Sequence, residues 1–206
     1  MRKLLFTILT IAFAVSVNAE GLNGLPSPKK TAGGSDFDQG NIIFSFGYGA
    51  PNFPKNLTYF TSAAYNVIST KSLGPIHAKF EYAMSNRFGV GISINYVSAG
   101  LKTNYDSLGS TYEAGFDYSS LAFNIRFNWH FYTENSLDLY TGGGLGYRAQ
   151  NLTVYDANNS TKVPVLLPLG LEFSVGARYF FTDFLGAYVE IGATKSIIQG
   201  GLVVRL

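Results

Sequence analysis

The sequence predicts an all-β fold, a single transmembrane antiparallel up-and-down β-barrel of about eight strands. The clearest strand is 121–131, in which large apolar residues at odd positions alternate with small or polar ones at even positions. Successive side chains of a strand point to opposite faces, so one face is apolar and the other polar. About 11 residues span a bilayer as a tilted strand, and the apolar face ends in Trp129 and Phe131, residue types that collect at membrane interfaces. Soluble half-buried strands also alternate, so the remaining segments decide.

Seven further segments show the same alternation, and all their charged residues fall on one face. A soluble sandwich would direct those charges outward to water and would need no aromatic bands. Here the uncharged face ends repeatedly in an aromatic residue, the girdle pattern of a membrane barrel. The segments are 42–48, 76–84, 88–96, 137–148, 169–179, 185–192 and 198–206, and the aromatic ends are Tyr48, Tyr82, Phe88, Tyr96, Tyr147 and Tyr179.

Short and long connections alternate along the chain, as expected for periplasmic turns and extracellular loops. The short ones are 85–87, 133–136 and 182–183, and the long ones are 50–74, 98–118 and 150–166. This alternation predicts that both termini face the periplasm. The connection 194–196 departs from the pattern, because it should be extracellular and is short. The long connections have room for strand extensions, for example near 101–105, and their aromatic residues could contact a partner or the lipid boundary.

The N-terminus predicts an exported protein. Arg2 and Lys3 precede an apolar run over 4–17, and Val17-Asn18-Ala19 forms a cleavage site before Glu20. We therefore expect a signal peptide over 1–19, a flexible periplasmic lead-in over 20–39, and an outer-membrane barrel of a Gram-negative cell over 40–206. Without its leader the chain carries 13 basic and 13 acidic residues, since Arg2 and Lys3 account for the two extra charges. This balance gives no basic field for nucleic acid, and the absence of cysteine excludes disulfides and a lipoprotein anchor.

The polar face carries a nearly balanced set of charges that we expect to form a structural network in the lumen. An eight-stranded barrel is just wide enough for side chains to fill, and buried charges need partners. Arg126 and Glu190 should lie at similar height and form a pair. The alternative is a narrow porin-like pore or small-ligand barrel, for which the inward glycines would leave space, although they could equally make room for Tyr140 and Tyr188. The inward charges are Lys79, Glu81, Arg126, Asp138, Arg148, Glu172, Arg178, Glu190 and Arg205.

The segment Gly-Ala-Arg-Tyr-Phe-Phe-Thr-Asp-Phe-Leu-Gly-Ala-Tyr-Val-Glu-Ile-Gly at 176–192 and the ending 200–206 resemble small eight-stranded outer-membrane barrels. The resemblance is to proteins of the OmpA, OmpX and OmpW type and to the outer membrane beta-barrel proteins of Bacteroidetes, and it covers 40–206. It implies a C-terminal insertion signal, here Leu202, Val204 and Leu206, that the barrel-assembly machinery reads. Such barrels usually end in an aromatic residue, from which Leu206 departs. The expected partners are outer-membrane lipids and lipopolysaccharide, and the aromatic residues of loops 50–74, 98–118 and 150–166 leave room for an extracellular partner.

The sequence predicts a structural or surface-interaction role rather than an enzyme. Some barrels that this chain resembles modify lipid A, a remote alternative that needs a histidine with a nucleophile or carboxylate partner at the outer end. His130 lies near a periplasmic turn, and His77 faces inward without an adjacent serine motif. The sequence has no glycine-rich phosphate loop, Cys/His cluster or EF-hand spacing, so we expect no catalytic, cofactor or metal residues.

Overall fold

The computed structural model describes residues 37–52, 67–107, 110–134, 136–156, 159–164 and 167–206. The predicted leader and its cleavage site, Ala19 and Glu20, lie outside the described residues. Within the described part, no helix is long and apolar enough to cross a membrane. The strands are β1 (Ile42–Ala50), β2 (Val67–Ala83), β3 (Phe88–Ser107), β4 (Ser110–Glu134), β5 (Leu137–Asp156), β6 (Asn159–Val163), β7 (Leu169–Phe180), β8 (Leu185–Ala193) and β9 (Ile198–Arg205).

Eight of these strands form a closed antiparallel barrel, which confirms the predicted fold class. Neighbouring strands pair in chain order, β1 pairs with β9, and β6 is an additional strand that pairs with the outer part of β5. Closure matters because lipid offers no partner to an unpaired backbone N–H or C=O.

The strand register defines the width of the barrel. Starting from Tyr48 on β1, the pairs followed through β2, β3 and β4 reach Ala149 on β5. Followed the other way, through β9, β8 and β7, they reach Leu139, ten residues away on the same strand. This stagger tilts the strands, and with eight strands it leaves an interior just wide enough for side chains.

The two faces of the barrel wall are inverted relative to a soluble protein. On β4, Phe127 is 65% exposed whereas the neighbouring Arg126 is only 2% exposed. β7 shows the same alternation along its whole length, with Leu171 and Phe173 outside and Glu172 and Ser174 inside. The hydrophobic effect would not leave such an outer surface in water, so the apolar faces are directed at hydrocarbon.

The strands extend further on the outer side than the sequence predicts. Residues 67–73 of the predicted loop 50–74 belong to β2, and most of the predicted loop 98–118 forms a β3–β4 hairpin paired as far as Ser107 and Ser110. The predicted loop 150–166 contains the end of β5 and all of β6. The expected extension near 101–105 is therefore confirmed, and the described parts of the predicted loops are largely strand.

Candidate functional site in the barrel lumen

The inward-facing residues form layers, and the layer at the end with the short turns, which the sequence predicts to be the periplasmic end, is apolar. Phe37, within the predicted lead-in, is 0% exposed and its ring stacks on that of His130 with the centroids 3.5 Å apart. Inward apolar residues of the barrel surround it. No sequence pattern marks this layer, because Phe37 precedes the first strand and the other members lie on the polar face of their strands. The layer consists of Phe37, Ile43, Ala83, Phe180, Tyr188 and Val203.

Above this layer, His130 lies between two carboxylates. Its Nδ1 is 2.6 Å from Asp138 Oδ1, and its Nε2 is 2.9 Å from Glu81 Oε1. Arg178 bonds the remaining oxygens of both acids, with Nη1 3.2 Å from Asp138 Oδ2 and Nη2 in contact with Glu81 Oε2. The guanidinium of Arg178 also lies 4.2 Å from the ring centroid of Tyr140.

The hydrogen bonds of His130 indicate a positively charged ring. An ionised carboxylate only accepts hydrogen bonds, so each ring nitrogen that faces one must donate. With His130 doubly protonated, the buried ionic groups of the described residues balance, four positive against four negative, as an interior charge needs. The positive groups are Lys79, Arg126, His130 and Arg178, and the negative ones are Glu81, Asp138, Glu172 and Glu190.

Glu172 occupies the middle of the lumen and accepts hydrogen bonds from side chains of two strands, β3 and β4. Asn95 on β3 and Asn124 on β4 each donate an amide at 3.0 Å, and the Ser93 hydroxyl donates at 2.8 Å. Arg126 Nη1 adds an ion pair at 3.2 Å.

Glu190, on β8 beside the strand that carries Glu172, is the second carboxylate of this layer. Lys79 Nζ lies 2.7 Å from Oε1, Gln199 donates to Oε2 at 2.7 Å, and the Tyr140 hydroxyl donates to Oε1 at 2.6 Å. Arg126 Nη1 is 3.6 Å from Glu190 Oε2, so the pair expected from the sequence lies together. Arg126 also donates to Ser174 at 3.0 Å, which ties three strands to one side chain.

Near the outer end, His77 lies between Asn95 and Ser196. The amide nitrogen of Asn95 donates to Glu172, so its Oδ1, 2.6 Å from His77 Nδ1, accepts from the ring. His77 Nε2 is then the acceptor for the Ser196 hydroxyl at 3.1 Å. Ser196 belongs to the short β8–β9 connection, which turns inward over the lumen. Sequence reasoning missed Ser196, because no local motif joins residues that are this far apart in the chain.

Two of the nine predicted lumen charges lie at the rims instead of inside. Arg205 donates to the carbonyl of Asp183 in a periplasmic turn and stacks on Phe180 at 4.2 Å. Arg148 is half-buried at the outer mouth, where its Nε lies 2.6 Å from the amide oxygen of Gln150 in the orientation that satisfies both groups. Arg205 is the last residue of β9, and Arg148 is held by Gln150 at the outer mouth, so neither joins the ion pairs in the middle of the barrel.

Neighbouring side chains occupy the space beside the inward glycines. A Cβ at Gly176 would lie 2.6 Å from Tyr140 Cζ and 2.7 Å from Glu190 Cγ, and one at Gly144 would lie 2.7 Å from Glu172 Cγ. A Cβ at Gly47 would lie 2.6 Å from the Tyr188 hydroxyl. Of the two interpretations of these glycines, the structure favours the one in which they make room for large polar side chains.

The described residues contain no group of three or more His, Cys, Asp or Glu arranged to hold a metal ion. His77 has the partners of a base in a nucleophile–base relay, but Ser196 is only 2% exposed, which leaves little access for a substrate. The chemistry that this arrangement supports is ion pairing and hydrogen bonding within the wall.

A closed antiparallel barrel of eight strands, with an apolar outer face and an ionic interior, is the architecture of a small outer-membrane β-barrel protein. No protein-family model matches the chain, and no curated protein sequence matches it. Among solved structures, it is similar to the N-terminal β-barrel domain of Pseudomonas aeruginosa OprF, at 12% identity and a TM-score of 0.42, covering 82% of this chain and 98% of that one.

It is also similar to Ail, the attachment invasion locus protein of Yersinia pestis, at 14% identity and a TM-score of 0.39, covering 82% of this chain and 99% of that one. A second Ail structure, in complex with the heparin analogue sucrose octasulfate, gives 13% identity and a TM-score of 0.41 over 82% and 99% of the two chains. The barrel class rests on the register and the two faces described above, and not on these matches.

Proposed function

We propose that this protein is exported to the outer membrane, where it serves as a non-conducting barrel that holds a sheet of extended strands above the surface. The observation that carries this proposal is the filled interior. Arg126 joins Glu172 and Glu190 from three different strands, at 3.2 Å and 3.6 Å. Water and ions would have to break these pairs to pass, and breaking one buried pair costs about 3–5 kcal/mol.

The second support is that side chains close the interior at three levels along its length. The Phe37 layer lies at the periplasmic end, the Arg126 pairs in the middle, and Ser196 at the outer end. A single constriction could act as a gate, whereas successive polar and apolar layers favour a permanent structural core.

Export and location are proposed from the leader together with the barrel. A membrane barrel with an even number of antiparallel strands is typical of the bacterial outer membrane. The leader over 1–19 would deliver the chain to the periplasm, and the alternating ending Leu202, Val204 and Leu206 would be read during insertion.

The surface role is proposed from the outer extensions of β2 to β6. Cross-strand contacts order this sheet above the membrane: Lys102 Nζ lies 3.6 Å from Glu113 Oε2 and 5.6 Å from the Tyr155 ring centroid, and Tyr155 donates to Asp117 at 2.9 Å. β6 pairs with β5, and its side chains are all exposed. An ordered sheet with an exposed outer strand suits contact with another protein or with surface saccharide.

Conductance in a planar bilayer tests the closed interior. The refolded mature chain should give no steady open events, while a heat-modifiability gel of the same sample shows that the barrel is folded. Steady single-channel events from the folded barrel would overturn the proposal in favour of the narrow pore.

Site-specific photo-crosslinking in native membranes tests the surface role. A crosslinker at Val163 on β6 should capture protein or saccharide, whereas the matched position Leu171, which is 65% exposed on the lipid face, should capture lipid only. The same products at both positions would contradict a surface contact.

A further inference from the structure

The outer mouth of the barrel holds two cations that come from separate parts of the wall. Lys195, in the short β8–β9 connection, extends across the lumen and donates from Nζ to the Ser120 hydroxyl oxygen on β4 at 2.5 Å. Ser120 pairs in register with Gln150 on β5, and Arg148 lies two residues along the same inward face. Arg148 places Nε and Nη2 at 2.6 Å and 3.2 Å from the Gln150 amide oxygen.

These two cations differ from the buried cations in the middle of the barrel. Lys79, Arg126 and Arg178 each form an ion pair with a buried carboxylate, whereas neither Lys195 nor Arg148 is paired with any carboxylate of the described residues. Two half-buried like charges at one mouth repel each other, and an anion between them would remove that repulsion.

The neighbouring polar groups leave donors free for such an anion. The Ser120 oxygen accepts from Lys195, so the Ser120 hydroxyl hydrogen is available to donate. The Gln150 amide oxygen faces Arg148, so the Gln150 amide nitrogen is available as well. Below them the His77–Ser196 contact forms the floor, and Glu172 beneath Asn95 repels an anion from going deeper.

We propose that Arg148, Lys195, Ser120 and Gln150 form a binding site at the outer mouth for a small oxyanion of the phosphate class. A guanidinium binds two oxygens of a tetrahedral oxyanion, an ammonium provides a point charge, and the hydroxyl and amide complete the set of donors. The group could arrive as free phosphate or on a phosphorylated saccharide of lipopolysaccharide, which present the same oxygens.

Burial, and in second place the nearby Arg148, lower the pKa of Lys195 to about 8. This lysine therefore keeps its charge at neutral pH at a cost that a bound anion would offset.

Isothermal titration of the refolded full barrel with inorganic phosphate, at neutral pH and low ionic strength in a zwitterionic detergent, tests the site. Wild type should bind saturably, and Arg148→Gln or Lys195→Gln should each weaken binding by roughly tenfold, because each removes charge-assisted hydrogen bonds. The matched control is Lys102→Gln, since Lys102 already pairs with Glu113 in the surface sheet, and it should bind within about twofold of wild type. Lys195→Arg keeps the charge and should retain binding, which covers the case in which Lys195→Gln fails to fold.

A second titration, with core oligosaccharide before and after phosphatase treatment, distinguishes the two sources. Binding that is lost on dephosphorylation would show that the site accepts the saccharide-borne group, and binding of inorganic phosphate alone would restrict it to the free ion. No saturable binding of either ligand, or unchanged affinity for phosphate in both Gln variants, would overturn the proposal. Neither result bears on conductance, so the proposed function is tested separately.

Discussion

Arg126 Nη1 and Glu190 Oε2 lie 3.6 Å apart, although the two residues stand on β4 and β8, which are not neighbours in the wall. Arg126 also reaches Glu172 on β7 at 3.2 Å, so one guanidinium joins two buried carboxylates. The side chain next to Arg126 in the sequence, Ile125, is 52% exposed on the outer face. One step along the strand therefore separates the ionic interior from hydrocarbon.

Placing an arginine on the outer face and an isoleucine on the inner face, at these two adjacent positions, should have different effects. Ile125→Arg should impair insertion, because an arginine facing lipid at the midplane costs about 2–4 kcal/mol. Arg126→Ile should insert and fold but lose heat resistance, because removing one partner of a buried ion pair costs about 3–5 kcal/mol. A heat-modifiability gel measures both, and identical behaviour of the two variants would contradict the assignment of the faces.

Because the interior is filled, replacing glycine with alanine should change the stability of the barrel at one position and leave it unchanged at another. Gly176→Ala should destabilise the barrel by about 1–3 kcal/mol, because the new methyl group would collide with Tyr140 and Glu190. Gly143→Ala is the matched control, since its Cβ would meet only the Glu172 carbonyl oxygen at 3.8 Å. Urea unfolding in detergent compares them, and equal midpoints would show that the lumen has spare room at Gly176.

The lowered pKa of Lys195 predicts that the free energy of unfolding depends on pH. Its pKa falls from 10.5 to about 8 on folding, so between these values the unfolded chain binds more protons than the folded one. Stability should therefore rise as the pH increases from about 8 to 10.5 and should be flat with respect to this group below that window. Arg148 on β5 and His77 on β2 are the other basic groups at this mouth. Lys195→Met should remove the rise, and an unchanged pH slope in this variant would show that Lys195 is not its source.

Ser196 should be inert as a nucleophile despite its contact with His77. Its burial denies access to a reagent, so a fluorophosphonate probe should not label the folded barrel. Ser196→Ala should change only stability, by about 1 kcal/mol, since it removes one buried hydrogen bond. Stoichiometric labelling that disappears in both Ser196→Ala and His77→Phe would instead show a reactive serine and would revive the enzyme alternative.

The period-two alternation was sufficient to predict which face of each barrel strand is directed outward. Phe127 and Leu171 are exposed and Arg126 and Glu172 are buried because a strand has only two faces. Distance from the nearest turn was also sufficient to place Arg126 and Glu190 at the same height. These features depend on local sequence, which the alternation reports directly.

The contacts that the sequence did not predict depend on the stagger between strands and on how far a side chain extends across the lumen. His130 meets Glu81 and Asp138 because the wall brings β2, β4 and β5 to the same layer. Phe37 precedes the first strand, so no alternation marks it as a lumen residue. Lys195 reaches Ser120 because its connection bends inward, which a count of loop residues does not show.

The register of β4 against β5 shifts at one point, since His130 pairs with Tyr140 and Tyr132 pairs with Leu139, leaving Phe131 as a β-bulge. Phe131 and Tyr132 consequently both face outward, at 47% and 39% exposure. A bulge holds one residue more than the partner strand requires. Deleting Phe131 should therefore leave a folded barrel, whereas deleting Phe127 should invert every side chain on one side of the gap and prevent assembly. The periplasmic end of β4 is thus where this wall can lose a residue without changing which face meets the lipid.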